Sequence, residues 1–148
     1  SFIYEGDCIM PVKIRGLKQG QKYIHNTVRN TSIEAMKECM KDLERVASET
    51  TPYDEGDLEM GGFHGVDVAG SKIEGWVGFE AFNKDFNYAI WTHEETYNLG
   101  EGSQSKTGGS GMSGKSYPVN NKYLTRPFEG EAPTYRKLIK QEIKDALK

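Results

Sequence analysis

The sequence predicts an α+β fold in which a small antiparallel sheet packs with one long helix and a C-terminal helix. Two segments carry apolar residues three and four positions apart, and the segments between them alternate apolar and polar residues. A long Gly/Ser-rich stretch without periodicity predicts a loop. A chain of 148 residues has the size of one domain. We therefore treat residues 1–148 as a single domain that contains a flexible loop at residues 98–122.

The first predicted element is a strand at residues 9–15. Val12 and Ile14 alternate with basic residues, which is the period of a half-buried strand. Pro11 has no amide hydrogen to donate, so it would confine this strand to a sheet edge.

A long amphipathic helix is predicted at residues 21–48, where apolar side chains form one stripe. Thr31 and Glu34 have the spacing of a capping box, so the helix either starts near Thr31 or runs through it. The continuous stripe favours the longer helix, which would measure about 40 Å. Because a compact chain of this size has a radius of gyration of roughly 15 Å, such a helix protrudes or packs on a neighbour.

Proline and glycine mark the boundaries of the later elements. Pro52 ends the long helix, because proline disfavours helical geometry in the residue before it. Two strand-like runs at residues 58–68 and 72–82 predict a hairpin, with a bulge at Gly61 and Gly62. The remaining predictions are a helical turn or a strand at residues 88–95, an extended entry at residues 123–128 and a final helix at residues 133–147.

The charge balance and the apolar runs limit the function classes. The chain has 19 Lys+Arg and 22 Asp+Glu, a net charge of -3, which argues against a dedicated nucleic-acid binder. The apolar runs fall far short of the roughly 20 residues that span a bilayer, so we expect a soluble protein without a membrane partner. The N-terminal residues lack the features of a secretion signal. Cys8 and Cys39 are therefore expected to stay reduced.

The Gly/Ser-rich stretch has two possible roles. A long loop inside a small domain is usually a binding loop or a disordered linker, and both interpretations stay open. As a partner-binding loop, it would present Gly100, Gly102, Gly108, Gly109, Gly111, Met112, Gly114 and Lys115.

Residues 109–116 also match the pattern of a phosphate-binding loop, G-x-x-x-x-G-K-[ST]. Such a loop needs a buried strand before it and a helix that starts at the Lys-Ser pair, so that backbone amides and the helix dipole face the phosphates. The flanking sequence predicts neither element. A nucleotide-binding protein is therefore an alternative, and a plain loop is preferred.

Two further clusters have structural interpretations that we prefer to catalytic ones. His93 and Glu94 match the first half of a zinc-protease helix, but position 97 is Tyr instead of His. An acidic cluster could supply acid-base carboxylates or bind calcium, yet its spacing differs from that of an EF-hand and favours a solvated turn. That cluster is Asp54, Glu55, Asp57 and Glu59. We expect no catalytic residue, no metal and no cofactor.

Aromatic residues concentrate in the middle of the chain, where a hairpin and the following segment would meet the helices. We expect them in the core, although one or two could stack on a partner. They are Trp76, Phe79, Phe82, Phe86, Tyr88 and Trp91.

The order of these parts resembles the tail-completion, or head-to-tail joining, proteins of tailed phages, which are close to minor capsid proteins. Three short motifs carry the resemblance: a Pro-x-Asp-x-Gly-x-Leu turn after the long helix, a Tyr-Ala segment followed by a glutamate, and a Leu-x-Arg-Pro entry before the last helix. The residues that match are Pro52, Asp54, Gly56, Leu58, Tyr88, Ala89, Glu94, Leu124, Arg126 and Pro127.

The roles of the first motif are structural. Asp54 can accept backbone amides, Gly56 permits a positive backbone angle, and Leu58 would begin the buried face of the first hairpin strand. Glu55 stands where the family usually has threonine.

The resemblance implies a non-enzymatic virion protein that forms a ring, commonly a hexamer, in the neck or tail. It also implies assembly in the host cytoplasm and contacts with a head connector or stopper protein and with a tail terminator or tail tube protein. DNA would be met incidentally, in the channel. A minor capsid or connector position at the same joint is the alternative.

Overall fold

The computed structural model describes residues 2–4, 9–11, 22–53 and 56–148, and it has the predicted α+β architecture. Its strands are β1 (Phe2–Tyr4), β2 (Ile9–Pro11), β3 (Gly62–Ala69), β4 (Lys72–Phe79), β5 (Phe82–Asn83), β6 (Phe86–Asn87), β7 (Gly109–Ser110) and β8 (Ser116–Tyr117). Its helices are α1 (Lys22–Thr50), α2 (Asp57–Met60), α3 (Ala89–Glu94), α4 (Glu101–Gln104) and α5 (Thr125–Ala146).

β4 is the central strand of the main sheet. β3 pairs with it antiparallel along its full length, and Gly70 at a φ of 61° lies in the turn of this predicted hairpin. β1 and β2 both pair with the other edge of β4. Pro11 therefore lies on an outer strand, as predicted. The rest of the strand predicted at residues 9–15 lies outside the described residues.

α1 runs through Thr31 without a break, so the longer of the two predicted helices is confirmed. Ser32, in the middle of the helix, donates its hydroxyl to the Val28 carbonyl at 2.6 Å. The apolar stripe packs on the sheet face that carries Ile73, Val77 and Phe79. The stripe consists of Ala35, Met36, Cys39, Met40, Leu43 and Ala47.

α5 runs antiparallel to α1 and closes the core on the side away from the sheet. The Thr50 hydroxyl, at the end of α1, donates to the Tyr123 carbonyl at 2.9 Å. Further along α5, the Tyr135 hydroxyl donates to Asp42 at 2.8 Å. The Tyr123 and Tyr135 side chains are fully buried, so α1 is held by the sheet and by α5 at once.

The start of the predicted hairpin differs from the structure. Leu58 is buried on the short helix α2 and does not begin a strand. Gly61 ends that helix and forms no bulge, and a Cβ at this position would lie 1.8 Å from the Glu80 carbonyl oxygen. Close backbone contact, which periodicity does not report, therefore explains this glycine.

The entry to the last helix also differs. Residues 125–128 are helical, so α5 starts earlier than the predicted residue 133. The extended entry predicted at residues 123–128 is therefore wrong for this part of the chain. The first four amides of a helix have no intrahelical acceptor, so Pro127 near the start removes no hydrogen bond. Pro133 lies inside the helix. The ambiguous segment at residues 88–95 forms α3.

The Gly/Ser-rich segment at residues 98–122 is the predicted long connection, but it is not structureless. It contains the short helix α4 and a hairpin of β7 and β8. Gly109 and Ser103 are buried, although neither has a large side chain. Small residues therefore let this segment approach the helices closely.

Candidate interaction surface

Two of the segments that carry the phage resemblance meet in a junction at Tyr123, and Thr50 at the end of α1 bonds to the same residue. Tyr123 donates its hydroxyl to the Ala89 carbonyl at 2.9 Å, and its own carbonyl accepts from Thr50. Its ring lies edge-on to Phe79, with the ring centroids 5.2 Å apart. The junction thus joins the end of α1, the start of α3 and the start of α5.

His93 belongs to the same junction and is buried. Its Nδ1 donates to the Glu94 carboxylate at 2.7 Å, and its Nε2 lies 3.1 Å from the Thr125 hydroxyl and 3.4 Å from the Thr125 amide at the start of α5. Burial lowers the pKa of His93, while the hydrogen bond to Glu94 opposes that shift. His93 therefore acts as a neutral cap on α5.

Glu94 links α3 to the segment before α5. Its carboxylate pairs with Lys122 and accepts from His93, and these two hydrogen bonds lower the pKa of Glu94. Both oxygens thus have partners within the chain. The arrangement has the character of a structural link.

The other described residues of the resemblance have local structural roles. Gly56 has a φ of 85°, which confirms the predicted positive backbone angle. Arg126 donates its Nε to the Asn121 carbonyl at 3.0 Å, and the half-buried Tyr88 donates its amide to the Ala81 carbonyl at 2.9 Å. Asp54 lies outside the described residues. Pro52, Ala89, Leu124 and Pro127 are buried.

The hairpin of β7 and β8 uses its backbone amides internally. The Met112 amide donates to Asp42 on α1 at 3.2 Å, and the Ser113 amide donates to Glu131 on α5 at 2.9 Å. No helix starts at Lys115, which donates its Nζ to the Gly130 carbonyl at 3.2 Å. Carboxylates occupy the donors that a phosphate would need, so the geometry differs from that of a phosphate-binding loop.

Glycines allow the hairpin to lie close to both helices. A Cβ on Gly111 would lie 1.7 Å from the Glu131 carboxylate, and one on Gly109 would lie 2.8 Å from Glu49. Gly108 and Gly114 have φ values of 80° and 86°. Close approach also explains Gly102 earlier in the connection, where a Cβ would lie 2.5 Å from the Tyr53 ring. Gly100, in contrast, faces open space.

An open cleft of about 720 Å³ lies at the end of the molecule where α1 stops. We call it the aromatic cleft. Trp91 and Tyr97 stack on one side of it, with centroids 5.4 Å apart and planes 13° from parallel. The other aromatic residues that line it are Tyr53, Phe82, Phe86 and Tyr88.

The exposure of these rings corrects the predicted core. Phe82, Phe86 and Trp91 are 54%, 59% and 51% exposed, whereas Phe79 is buried and Trp76 is half-buried. Phe82 and Phe86 lie on the small hairpin of β5 and β6, which has a turn at Lys84 with a φ of 57°. Grouped exposed aromatic rings are typical of a contact surface.

The sequence analysis missed the aromatic cleft because it placed all of these rings where the hairpin and the following segment were expected to meet the helices. The Asn-Lys-Asp turn between Phe82 and Phe86 was the available signal. The strands of this hairpin have only two residues each, and an isolated two-stranded hairpin has little core of its own in which to bury its rings.

Other site types have little support among the described residues. No group of three or more His, Cys, Asp or Glu side chains there could hold a metal ion. Asp57 of the acidic cluster is exposed, and Glu59 pairs with Lys106 at 3.1 Å. None of the described helices has both the length and the apolar content needed to cross a membrane.

Comparisons with known proteins give no relative. No family model, no curated protein and no solved structure matches this chain.

Proposed function

We propose that this protein is a non-enzymatic structural subunit of a tailed-phage virion, which forms a ring at the head-to-tail joint. The proposal is supported by the bonds that join two of the resemblance segments to each other and to the end of α1 at Tyr123. The Tyr-Ala segment with its glutamate and the entry to α5 are far apart in sequence, and their bonds join α3 to α5 there. Their polar groups bond to one another, as expected of a structural framework.

The aromatic cleft supports an assembly role from the outside of the molecule. Its grouped, half-exposed rings would remain in contact with water unless a partner covered them. A ring subunit covers such a surface by a contact with the next subunit or with the adjoining head or tail component.

Two alternatives remain beside this proposal. A minor capsid or connector position at the same joint would use the same framework. A nucleotide-binding role for residues 109–116 has less support, because Asp42 and Glu131 accept the amides of that hairpin.

Native mass spectrometry and electron microscopy test the proposal directly. The protein should form a ring alone, or change from monomer to ring when mixed with tail tubes or head connectors. A monomer that binds neither component would contradict it. In the same preparation, magnesium-ATP should leave the melting temperature of the wild type and of Lys115→Ala unchanged, whereas a shift lost in the variant would favour the nucleotide alternative.

A further inference from the structure

The aromatic cleft has an acidic rim. Asp57 lines the cleft, and Asp85, Glu95 and Glu101 are exposed beside lining residues of the chain. None of these four carboxylates forms an ion pair with another described residue. Lys84 is a cation among the lining side chains, so the rim has an excess of negative charge.

α5 carries a basic stripe of Lys137, Lys140 and Lys144, and Lys148 follows just after the helix ends. The three helical lysines are spaced three and four positions apart and therefore share one face of the helix. The first three are exposed and form no ion pair with a described residue. They line a shallow groove with Met112 and Leu138, so the stripe has apolar neighbours.

The cleft and the stripe lie at opposite ends of the helix pair. The cleft includes Pro52 and Tyr53, just after the end of α1, and Tyr123 before α5 bonds to that same end. Lys144 lies about 30 Å along the axis of α5 from the start of that helix at Thr125. At that end Glu142 lines a pocket with Glu34 and Ala35 of α1. A single chain therefore cannot bring its own stripe to its own cleft.

We infer that the basic stripe of one copy docks in the aromatic cleft of a second copy. The lysine ammonium groups meet the rim carboxylates and the faces of the exposed rings, which attract cations. Leu147, which is 48% exposed, supplies an apolar contact for Phe82 and Phe86. Such a contact is head-to-tail, so it builds a closed ring or an open filament. The inference rests on the proposed function and names the surfaces that the ring would use.

Paired charge reversals test this contact. The cleft variant is Asp57→Lys/Glu101→Lys, and the stripe variant is Lys140→Glu/Lys144→Glu. All four side chains are exposed, so both variants are expected to fold. Arg29→Glu/Lys41→Glu on α1 reverses the same amount of charge outside the stripe and serves as the control.

Sedimentation equilibrium of the full chain, together with NMR of the Trp91 indole, measures self-association up to about 1 mM. The Trp91 signal is identified by its absence in Trp91→Phe, since Trp76 is the second tryptophan. Wild type should associate, and the Trp91 signal should shift with concentration. Each reversal should raise the dissociation constant of self-association about tenfold or more, while the control should leave it unchanged.

The mixture of the two variants gives the sharpest result. Each variant alone places like charges at the contact, but an equimolar mixture pairs opposite charges at every junction. We expect the mixture, and a chain carrying all four reversals, to associate like wild type. A mixture that stays monomeric, reversals without effect, or a wild type that does not self-associate at about 1 mM would overturn the inference.

Failure of this inference is distinguishable from failure of the proposed function. Reversals that leave rings or tail binding intact would remove the docking mode and leave the ring. A wild type that neither self-associates nor binds tail tubes or connectors would remove both.

Discussion

Glu131 has no exposed surface and accepts hydrogen bonds from the Ser113 amide, the Ser113 hydroxyl and the Tyr117 hydroxyl. Glu131→Leu is expected to lower the free energy of unfolding by about 2–4 kcal/mol, because the buried Tyr117 hydroxyl and the part-buried Ser113 donors lose their acceptor. Glu131→Gln keeps one acceptor oxygen and should cost less. Urea denaturation measures both.

Glu129→Leu is the matched control, because Glu129 is exposed on the same helix. Its free energy of unfolding should stay within about 0.5 kcal/mol of wild type. Equal losses in Glu131→Leu and Glu129→Leu would show that the buried carboxylate does not anchor the hairpin.

His93 predicts how stability depends on pH. Burial holds its pKa in the folded state below its ordinary value near 6.5, so the unfolded chain binds the proton more readily. The stabilisation is complete above that value and is lost as the pH falls through the folded-state pKa. The lowered pKa of Glu94 acts at still lower pH, below its ordinary 4.5.

The melting temperature of the wild type should therefore fall between about pH 7.5 and about pH 5.5. In His93→Asn, which can still accept from the Thr125 amide, this fall should be smaller. His25→Gln should keep the wild-type fall. An unchanged fall in His93→Asn would assign the pH dependence to other groups.

At the scale of elements, α1 depends on Lys106 at its C-terminal end. The Lys106 Nζ donates to the Thr51 carbonyl at 2.8 Å and pairs with Glu59 of α2 at 3.1 Å. A cation near the last carbonyls of a helix also favours the helix dipole. The Gly/Ser-rich connection thus stabilises the helix that it crosses.

Lys106→Met is expected to lower the free energy of unfolding by about 1–3 kcal/mol, because a partly buried carbonyl and a carboxylate lose their donor. Lys72→Met breaks an exposed pair with Glu74 and should cost less than about 1 kcal/mol. Thermal unfolding of the two variants gives the comparison. Similar losses would mean that Lys106 contributes as an ordinary surface charge.

The sequence predicts well those elements in which the periodicity of apolar residues matches the face that is buried. The stripe of α1 and the hairpin of β3 and β4 follow from that periodicity, and Pro52 ends α1 as expected. Leu58 and Pro127 were misplaced because their conformations depend on helix ends and local contacts. The ordered connection was missed because its hydrogen bonds come from distant carboxylates, Asp42 and Glu131.

The candidate site was less predictable than the fold. Of the residues that the resemblance named, hydrogen bonds account for Tyr88, Ala89, Glu94 and Arg126. The aromatic cleft, in contrast, depends on which rings the short hairpin and α3 leave outside, and a ring has the same sequence signal whether it is buried or exposed.

At the scale of the whole molecule, a substitution in the aromatic cleft should weaken assembly without lowering the stability of the fold. Phe82→Ser/Phe86→Ser removes two rings that the fold leaves more than half exposed, so the melting temperature should change little. Association with a second copy, a tail tube or a connector should weaken strongly, because interface energy concentrates in aromatic residues. Native mass spectrometry and co-sedimentation with tail tubes or connectors measure that loss.

Met60→Ser is the matched control, since Met60 is 78% exposed and does not line the aromatic cleft. It should leave both the melting temperature and the association of the chain unchanged. If the double phenylalanine variant lowers the melting temperature strongly, the two rings belong to the core and the cleft loses its role. If it melts like wild type and still assembles fully, the contact surface lies elsewhere. A variant that keeps its stability and loses its assembly is the outcome that an aromatic contact surface requires.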